Sequence, residues 1–176
     1  MKLIINLLDS GIKNKTSKGI ADEILALESC FSLFLASNRH FAGVKIVTIT
    51  LTLCGRTKIR SLNRHYRQKD YATDVLSFPI YENLRPDKKS AEKTFFNVEL
   101  GDLIICKEIA RTQSREFNIS YEEEIIHLTV HGLLHLLGFD HDISSKEEKI
   151  MEKYEAVLVS KIYKKLKKLK NRPKYE

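Results

Sequence analysis

The chain has 176 residues, enough for one domain that buries roughly 70% of its unfolded surface without disulfide bonds. Its three cysteines are odd in number, widely spaced and set among apolar residues, which excludes a disulfide framework and indicates a reducing compartment. No stretch reaches the roughly 18 uncharged apolar residues of a membrane span and the start lacks a secretory pattern, so we expect a soluble, cytoplasmic protein with no membrane partner.

Charge is unevenly distributed along the chain. Residues 161–176 contain eight Lys or Arg and one Glu, which leaves 22 basic and 22 acidic residues elsewhere and accounts for the whole net charge of +7. A second basic stretch, residues 55–70, has six Lys or Arg against one Asp. This sorting favours a polyanionic partner. Because no linker or repeat marks another boundary, we divide the chain into a domain of residues 1–160 and a basic tail of residues 161–176.

The first part of the chain predicts a strand, a helix and a second strand. KLIINLL, residues 2–8, is typical of a strand, and residues 16–36 carry an apolar stripe with helical spacing. In VKIVTITLTLC, residues 44–54, apolar residues alternate with threonines, as expected of a half-buried strand.

The basic stretch that follows predicts a short amphipathic helix. Ile59, Leu62 and Tyr66 recur at helical spacing, so we expect them to face the core. Three arginines then lie on another face of this helix: Arg60, Arg64 and Arg67.

Two further strands complete a predicted set of four. DVLSFPI at residues 74–80 and LGDLIIC at residues 100–106 have strand patterns. The polar, proline-containing segment 81–97 between them predicts a mobile loop, and residues 107–116 predict a helix.

Both ends of the next helix are marked in the sequence. Ser120 and Glu123 match a capping box, and the acidic residues 122–124 suit the amino end of a helix. Gly138 suits its carboxyl end. This helix therefore carries the first two histidines of HGLLHLLGFDH, residues 131–141.

The three histidines of this motif have the spacing of a metal site. His131 and His135 are four residues apart, one turn along the same helix face, so both rings can reach one point. Gly138 lets the chain fold back and present His141 as a third neutral nitrogen ligand. Three such ligands with a fourth position open are typical of catalytic zinc, so we predict one Zn²⁺ per chain. The alternative is a set of polar residues on a solvated helix face.

Metzincin metalloproteases use the same His-x3-His-x2-Gly-x2-His spacing, but this chain lacks their general base. Gly132 stands where those enzymes have Glu after the first histidine, so peptide hydrolysis by their mechanism lacks its proton acceptor. His127, one turn before His131, either lines the cleft or is a solvated helix residue.

Three sequence blocks, occurring in family order, resemble the YbeY family of zinc-dependent endoribonucleases: LNRHYRQKDYATDVLSFP at residues 62–79, LGDLII at residues 100–105, and HGLLHLLGFDH. The similarity extends from the first strand to about residue 154. The resemblance implies an α+β fold in which helices flank a small mixed sheet, here a single domain of four strands with the three-histidine zinc site at the end of a central helix. It also implies a single-strand-specific endoribonuclease for ribosomal RNA ends and ribosome quality control, in the bacterial cytoplasm or a bacterium-derived organelle.

The same resemblance assigns zinc to His131, His135 and His141, and a functional role to Arg67. Zinc held by neutral imidazoles keeps its positive charge, activates water and polarises a phosphoryl oxygen, so a phosphodiester suits the site. Arg67 is our candidate for stabilising charge that develops on phosphorus; otherwise it is one surface charge of a basic helix.

Three aspartates near these blocks have two interpretations each. Asp140, beside His141, either orients a ligand imidazole or caps a turn. Asp74 and Asp102, at predicted strand ends, either position a ligand or bind the turn backbone.

The expected partners are ribosomal RNA and the ribosome or its small-subunit proteins. The basic helix and the tail supply candidate RNA contacts: Arg60, Arg64, Lys164, Lys165 and Lys168. For the tail, a solvated helix end that keeps the protein soluble is the alternative. Two other functions stay open: a zinc hydrolase of a non-RNA substrate, such as a peptide or small ester, and a noncatalytic ribosome-associated factor with structural zinc.

Overall fold

A computed structural model describes residues 1–9, 20–88 and 96–171, and this part of the chain forms four strands and five α-helices. In chain order the elements are β1 (Lys2–Asp9), α1 (Ala21–Ala36), a 3₁₀ turn (Arg39–Phe41), β2 (Ile46–Cys54), α2 (Arg56–Arg67), β3 (Val75–Pro79), β4 (Asn97–Cys106), α3 (Lys107–Glu116), α4 (Tyr121–Leu136) and α5 (Ser145–Lys170). The predicted α+β class is confirmed.

The four strands form one mixed sheet in the order β1-β2-β4-β3. Strand β2 pairs in parallel with β1 and β4, whereas β3 pairs antiparallel with β4 at the sheet edge. The predicted alternation along β2 is confirmed, because Ile49, Leu51 and Leu53 are fully buried and the threonines between them are half-buried. The sheet is therefore mixed, as expected.

Helices pack on both faces of the sheet. Helices α1, α4 and α5 contact one another and, with the strands, enclose the main core, which includes Leu103 and Ile105 of β4. Ile104 points to the opposite face, since side chains alternate along a strand. There it packs with Ile59 of α2 and Leu76 of β3 in a second, smaller cluster. Helix α2 therefore lies across the sheet from α4.

The prediction for the inward face of α2 is only partly confirmed. Ile59 is buried and Leu62 is half-buried, but Tyr66 is 62% exposed, so its assignment to the core is wrong. The buried position near the end of the helix belongs to Asn63, whose amide donates a hydrogen bond of 2.9 Å to the carbonyl of Tyr71. Tyr66 lies at the rim of the small cluster beneath α2, where its ring packs against the partly buried Phe78.

Residues 81–88, the first part of the predicted loop 81–97, pack against the rest of the domain. Leu84 and Arg85 are buried there. The Arg85 guanidinium donates to Asp87 and to Glu147 of α5 and lies 4.4 Å from the ring centre of Phe139. The prediction of a mobile loop is therefore not supported for residues 81–88. Residues 89–95 lie outside the described residues, and β4 begins at Asn97.

Two other predicted boundaries concern helices α1 and α5. Helix α1 is described from Ala21, and residues 16–19 of the predicted helix lie outside the described residues. The division at residue 160 falls inside α5, whose Ile162 and Leu166 are buried in the main core. A separate role for the tail stays a prediction. Residues 172–176 lie outside the described residues. No helix of the described chain is long and apolar enough to cross a membrane.

The capping box at the start of α4 is present, as predicted. The Ser120 hydroxyl accepts a hydrogen bond of 3.1 Å from the backbone amide of Glu123, whose carboxylate accepts one of 2.8 Å from the amide of Ser120. Two amide groups that the helix itself leaves unpaired are thereby satisfied, and the start of α4 is fixed.

Gly138 ends α4 and reverses the chain. Its amide donates to His135 O and the amide of Phe139 donates to Leu134 O, the bond pattern of a Schellman motif. The glycine has φ +91°, and a Cβ there would lie 2.4 Å from the carbonyl oxygen of Glu82. Any other residue would be both strained and in collision, so Gly138 is what turns the following residues back toward the helix.

Candidate metal centre and its cleft

The three predicted histidines lie together at the carboxyl end of α4. One ring nitrogen from each of His131, His135 and His141 lies within 4.8 Å of the others. The Nε2 atoms of His131 and His135 are only 3.0 Å apart. This trio is the one group of its kind found among the described residues, and it could hold a metal ion.

Close packing at Gly132 sets the orientation of α4. A Cβ at this position would lie 2.7 Å from Leu103 Cδ2 and 3.2 Å from Ser77 Oγ. The backbone of the helix therefore packs directly against side chains of β4 and β3. The position that carries a general base in metalloproteases is therefore pressed against the sheet. Any side chain there would require Leu103 to shift.

The histidine cluster favours neutral imidazoles. Burial, followed by the neighbouring His131 and His141, lowers the pKa of His135 to about 4, although a hydrogen bond to the backbone of Phe139 acts in the opposite direction. His135 is therefore uncharged near neutral pH, with a nitrogen lone pair free for a cation.

Glu155 of α5 fixes the orientation of His131. Its Oε1 lies 2.7 Å from Nδ1 of His131, which places the ring proton on Nδ1 and leaves Nε2 facing the other histidines. Sequence analysis missed this residue. One signal was present: Glu155 occupies the apolar stripe of α5, four residues after the buried Met151 and three before the buried Leu158, where an acidic residue is unexpected.

The predicted aspartates mainly hold turns. Asp140 lines the cleft, and its Oδ1 accepts a hydrogen bond of 2.9 Å from the amide of Asp142. Asp74 also lines the cleft; it accepts from the amide of Val75 and from the side-chain amide of Gln113. Among the described residues, neither carboxylate makes a hydrogen bond or ion pair with a histidine, whereas Asp142 Oδ1 lies 3.1 Å from His141 Nδ1.

Two further candidates lie apart from the histidine trio. His127 is paired through Nε2 with the hydroxyl of Tyr163 at 2.7 Å, and it lines a neighbouring cavity rather than the main cleft. Asp102 is exposed on β4.

A cleft of about 960 Å³ connects the histidines with the end of α2. Arg67 lies on its wall, exposed, and makes no hydrogen bond or ion pair with the described residues. Next to it, the exposed ring of Tyr66 packs edge-on against Phe78 with ring centres 5.1 Å apart. The cleft thus combines a possible metal site, a free guanidinium and an exposed aromatic ring.

The remaining predicted basic residues lie outside this cleft. Arg60 donates two hydrogen bonds of 2.9 Å to Asp70, an exposed pair that contributes little to stability. Arg64 is exposed on the same helix. On α5, Lys164 and Lys168 are exposed and Lys165 is half-buried.

Comparison with known proteins identifies the family of the chain. The family model described as Endoribonuclease YbeY matches residues 11–163. A protein from Acetivibrio thermocellus with the name Endoribonuclease YbeY is 41% identical over 80% of this chain and 88% of its own length. Another of that name, from Caldicellulosiruptor saccharolyticus, is 39% identical over 90% of this chain and 96% of its own.

One solved structure shows a similar fold. The solution structure of TM1509 from Thermotoga maritima is 24% identical, covers 98% of this chain and 99% of its own, and gives a TM-score of 0.56. The family model and the two bacterial relatives each span most of the chain, and on that basis this protein belongs to the Endoribonuclease YbeY family.

Proposed function

We propose that this protein is a zinc-dependent endoribonuclease that cuts single-stranded RNA. One observation carries the proposal: the three histidines that could hold a metal and the unpaired guanidinium of Arg67 line the same cleft. Family membership supports the reaction, because the relatives carry the name endoribonuclease. The packed glycine at position 132 argues against a peptidase of the metzincin type.

Zinc is the metal that fits this donor set best. Three imidazole nitrogens suit Zn²⁺, whereas Mg²⁺ and Ca²⁺ prefer oxygen ligands. The cluster is already arranged for a cation, since Glu155 leaves the Nε2 lone pair of His131 directed at Nε2 of His135, 3.0 Å away. When bound, zinc supplies a Lewis acid that polarises a phosphoryl oxygen.

The chain's own side chains would orient the substrate and stabilise its charge. The Arg67 guanidinium can donate two parallel hydrogen bonds to phosphate oxygens and stabilise the charge that develops there. The exposed ring of Tyr66 offers a stacking surface to an unpaired base, which a base within a duplex cannot use. This arrangement supports single-stranded RNA as the substrate.

We further propose that the substrate is ribosomal RNA, at ends that undergo maturation, and that the protein serves ribosome quality control in the cytoplasm. The ribosome or its small-subunit proteins are the proposed partners. The excess of positive charge in the α2 stretch and at the end of α5 supports a nucleic-acid partner.

The first prediction concerns the metal. Protein purified without chelators should contain about one zinc per chain, since one three-ligand site is proposed. X-ray absorption should show only nitrogen and oxygen around the metal. Sulfur ligation, or metal-free protein, would contradict the proposed zinc site.

The second prediction concerns Glu155. Glu155→Leu should weaken zinc affinity by roughly 10- to 100-fold, because the ring of His131 loses the partner that fixes its orientation and proton position. Competition against a chelator measures this affinity without reference to RNA cleavage. Glu155→Gln keeps an oxygen acceptor for the His131 ring, so its zinc affinity should fall less than that of Glu155→Leu.

Glu152→Leu is the matched control for this change, since Glu152 is exposed on the same helix and makes no hydrogen bond or ion pair with a histidine of the described residues. Equal zinc affinity in Glu155→Leu and Glu152→Leu would show that Glu155 has no effect on the metal.

The third prediction concerns Arg67. Arg67→Ala should retain zinc and thermal stability but lower kcat for RNA cleavage by roughly 100-fold or more, the size seen when a transition-state donor is removed. Arg64→Ala removes an equal charge outside the cleft and should leave kcat unchanged. If the two variants have the same kcat, Arg67 is only a surface charge.

The fourth prediction concerns the basic end of α5. Changing Lys164, Lys165 and Lys168 together to Gln should flatten the dependence of log affinity for single-stranded RNA on log salt by about two units, since each phosphate contact contributes about 0.7. Zinc content and kcat should not change. An unaltered slope would assign these lysines to solubility alone.

A further inference from the structure

Glu124 is buried without a partner. It lies on α4, seven residues before His131, and is only 3% exposed. Within the described part of the chain its carboxyl group makes no hydrogen bond or ion pair. Burial, followed by the nearby charge of Asp74, raises its pKa. Its oxygens are not among the partnerless side-chain atoms that are closed to solvent, so a ligand with an N–H group can reach them.

The carboxyl group lines a cavity of about 480 Å³ beside the histidine cleft. This second cavity shares Asp74, Val75 and His131 with the main cleft. A ligand in the cleft can therefore extend into the cavity past His131.

Gln113 lies in the cavity wall but does not offer a second acceptor. It donates through Nε2 to Asp74 Oδ2 at 2.9 Å, and this bond orients the amide. Its Oε1 has no hydrogen-bond partner but is closed to solvent, so a ligand in the cavity cannot donate to it. Glu124 is therefore the acceptor that an N–H group of a ligand can reach.

The charge of the cavity limits what can enter. Asp74, Glu152 and Glu155 line it together with Glu124, and no Lys or Arg of the described residues does, so a phosphate group is repelled. Their oxygens do not converge as a metal site, because the histidine trio is the one such group found in the described chain. A neutral group with N–H donors fits, and the ring of Phe117, 63% exposed, stands in the cavity wall where a flat ring can stack on it.

We propose that this cavity binds one base of the RNA substrate, close to the cleaved bond, and selects a base with an exocyclic amino group. Glu124 accepts hydrogen bonds from that amino group and from a ring N–H group where present, as carboxylates accept from N4 of cytosine. Uracil, which has no amino group, is disfavoured. The inference rests on the proposed RNA cleavage, of which it names a specificity-determining subsite.

Mononucleotide binding tests the subsite without cleavage. Cytidine and uridine 5′-monophosphates have the same phosphate and differ in the amino group, so they form a matched pair of probes. Nuclear magnetic resonance of the full chain should show the Gln113 side-chain amide shifting with both, with cytidine monophosphate binding roughly tenfold tighter or more. Equal affinity would overturn the proposal, as would a response of this signal to spermidine but to neither nucleotide.

Variants at Glu124 separate a binding role from a structural one. Glu124→Leu should remove the preference for cytidine monophosphate while thermal stability stays the same or rises, because an unpaired buried carboxyl is lost. Glu124→Gln is nearly isosteric but adds an N–H donor, so it should reduce the difference in affinity between cytidine and uridine monophosphates. Glu148→Gln removes one exposed carboxylate of α5 that lines neither the cleft nor the cavity, and it should keep the preference for cytidine monophosphate. A preference retained in both Glu124 variants would overturn the proposal.

The two proposals fail in different ways. Absence of RNA cleavage together with a clear preference for cytidine monophosphate would contradict the endoribonuclease but support the base-binding cavity. Cleavage of RNA without any such preference would contradict the cavity alone.

Discussion

The contact between α4 and the sheet at Gly132 is the constraint on which the rest of the site depends. With no side chain at this position, the helix approaches Leu103 so closely that its rotation about its own axis is fixed. The turn-spaced residues Glu124, His131 and His135 then remain along the cavity and the cleft. A larger residue would require the buried side chain of Leu103 or the helix itself to shift.

The cleft and the neighbouring cavity differ in one cationic group. Carboxylates line both, but the unpaired guanidinium of Arg67 lies on the wall of the cleft, whereas no Lys or Arg of the described residues lines the cavity. A nucleotide has a charged phosphate and a neutral base, so it matches such a division better than a uniformly charged ligand does. The local arrangement is therefore more informative about the substrate than the net charge of +7.

Helix α5 links the basic end of the chain to the histidine site. Its buried residues Met151, Leu158 and Ile162 pack in the main core, and Glu155 on the same stripe reaches His131. Glu147 near its start holds Arg85, whose guanidinium lies over Phe139 in the turn before His141. The packing of one helix thus supports two of the three histidines.

Features that depend on neighbouring residues could be predicted from the sequence. The alternation along β2, the capping box of Ser120 and Glu123, and the turn at Gly138 involve residues at most a few positions apart. The meeting of His131 and His135 follows from one helical turn, and the return of His141 follows from the turn glycine. For that reason the α+β class and the histidine cluster agree with what the sequence predicted.

Tertiary structure alone decided which distant groups meet. The hydrogen bond between Glu155 and His131 joins two helices. Arg60 forms an ion pair with Asp70, whereas Arg67 stays unpaired. Tyr66 is exposed at the cleft, although its spacing predicted a core position. Helical periodicity tells which residues share a face of a helix, but not where the opposing surface ends or what it carries. The sequence by itself therefore determined the local spacing of the histidines, whereas the partners and charges around them depended on how the helices pack on the sheet.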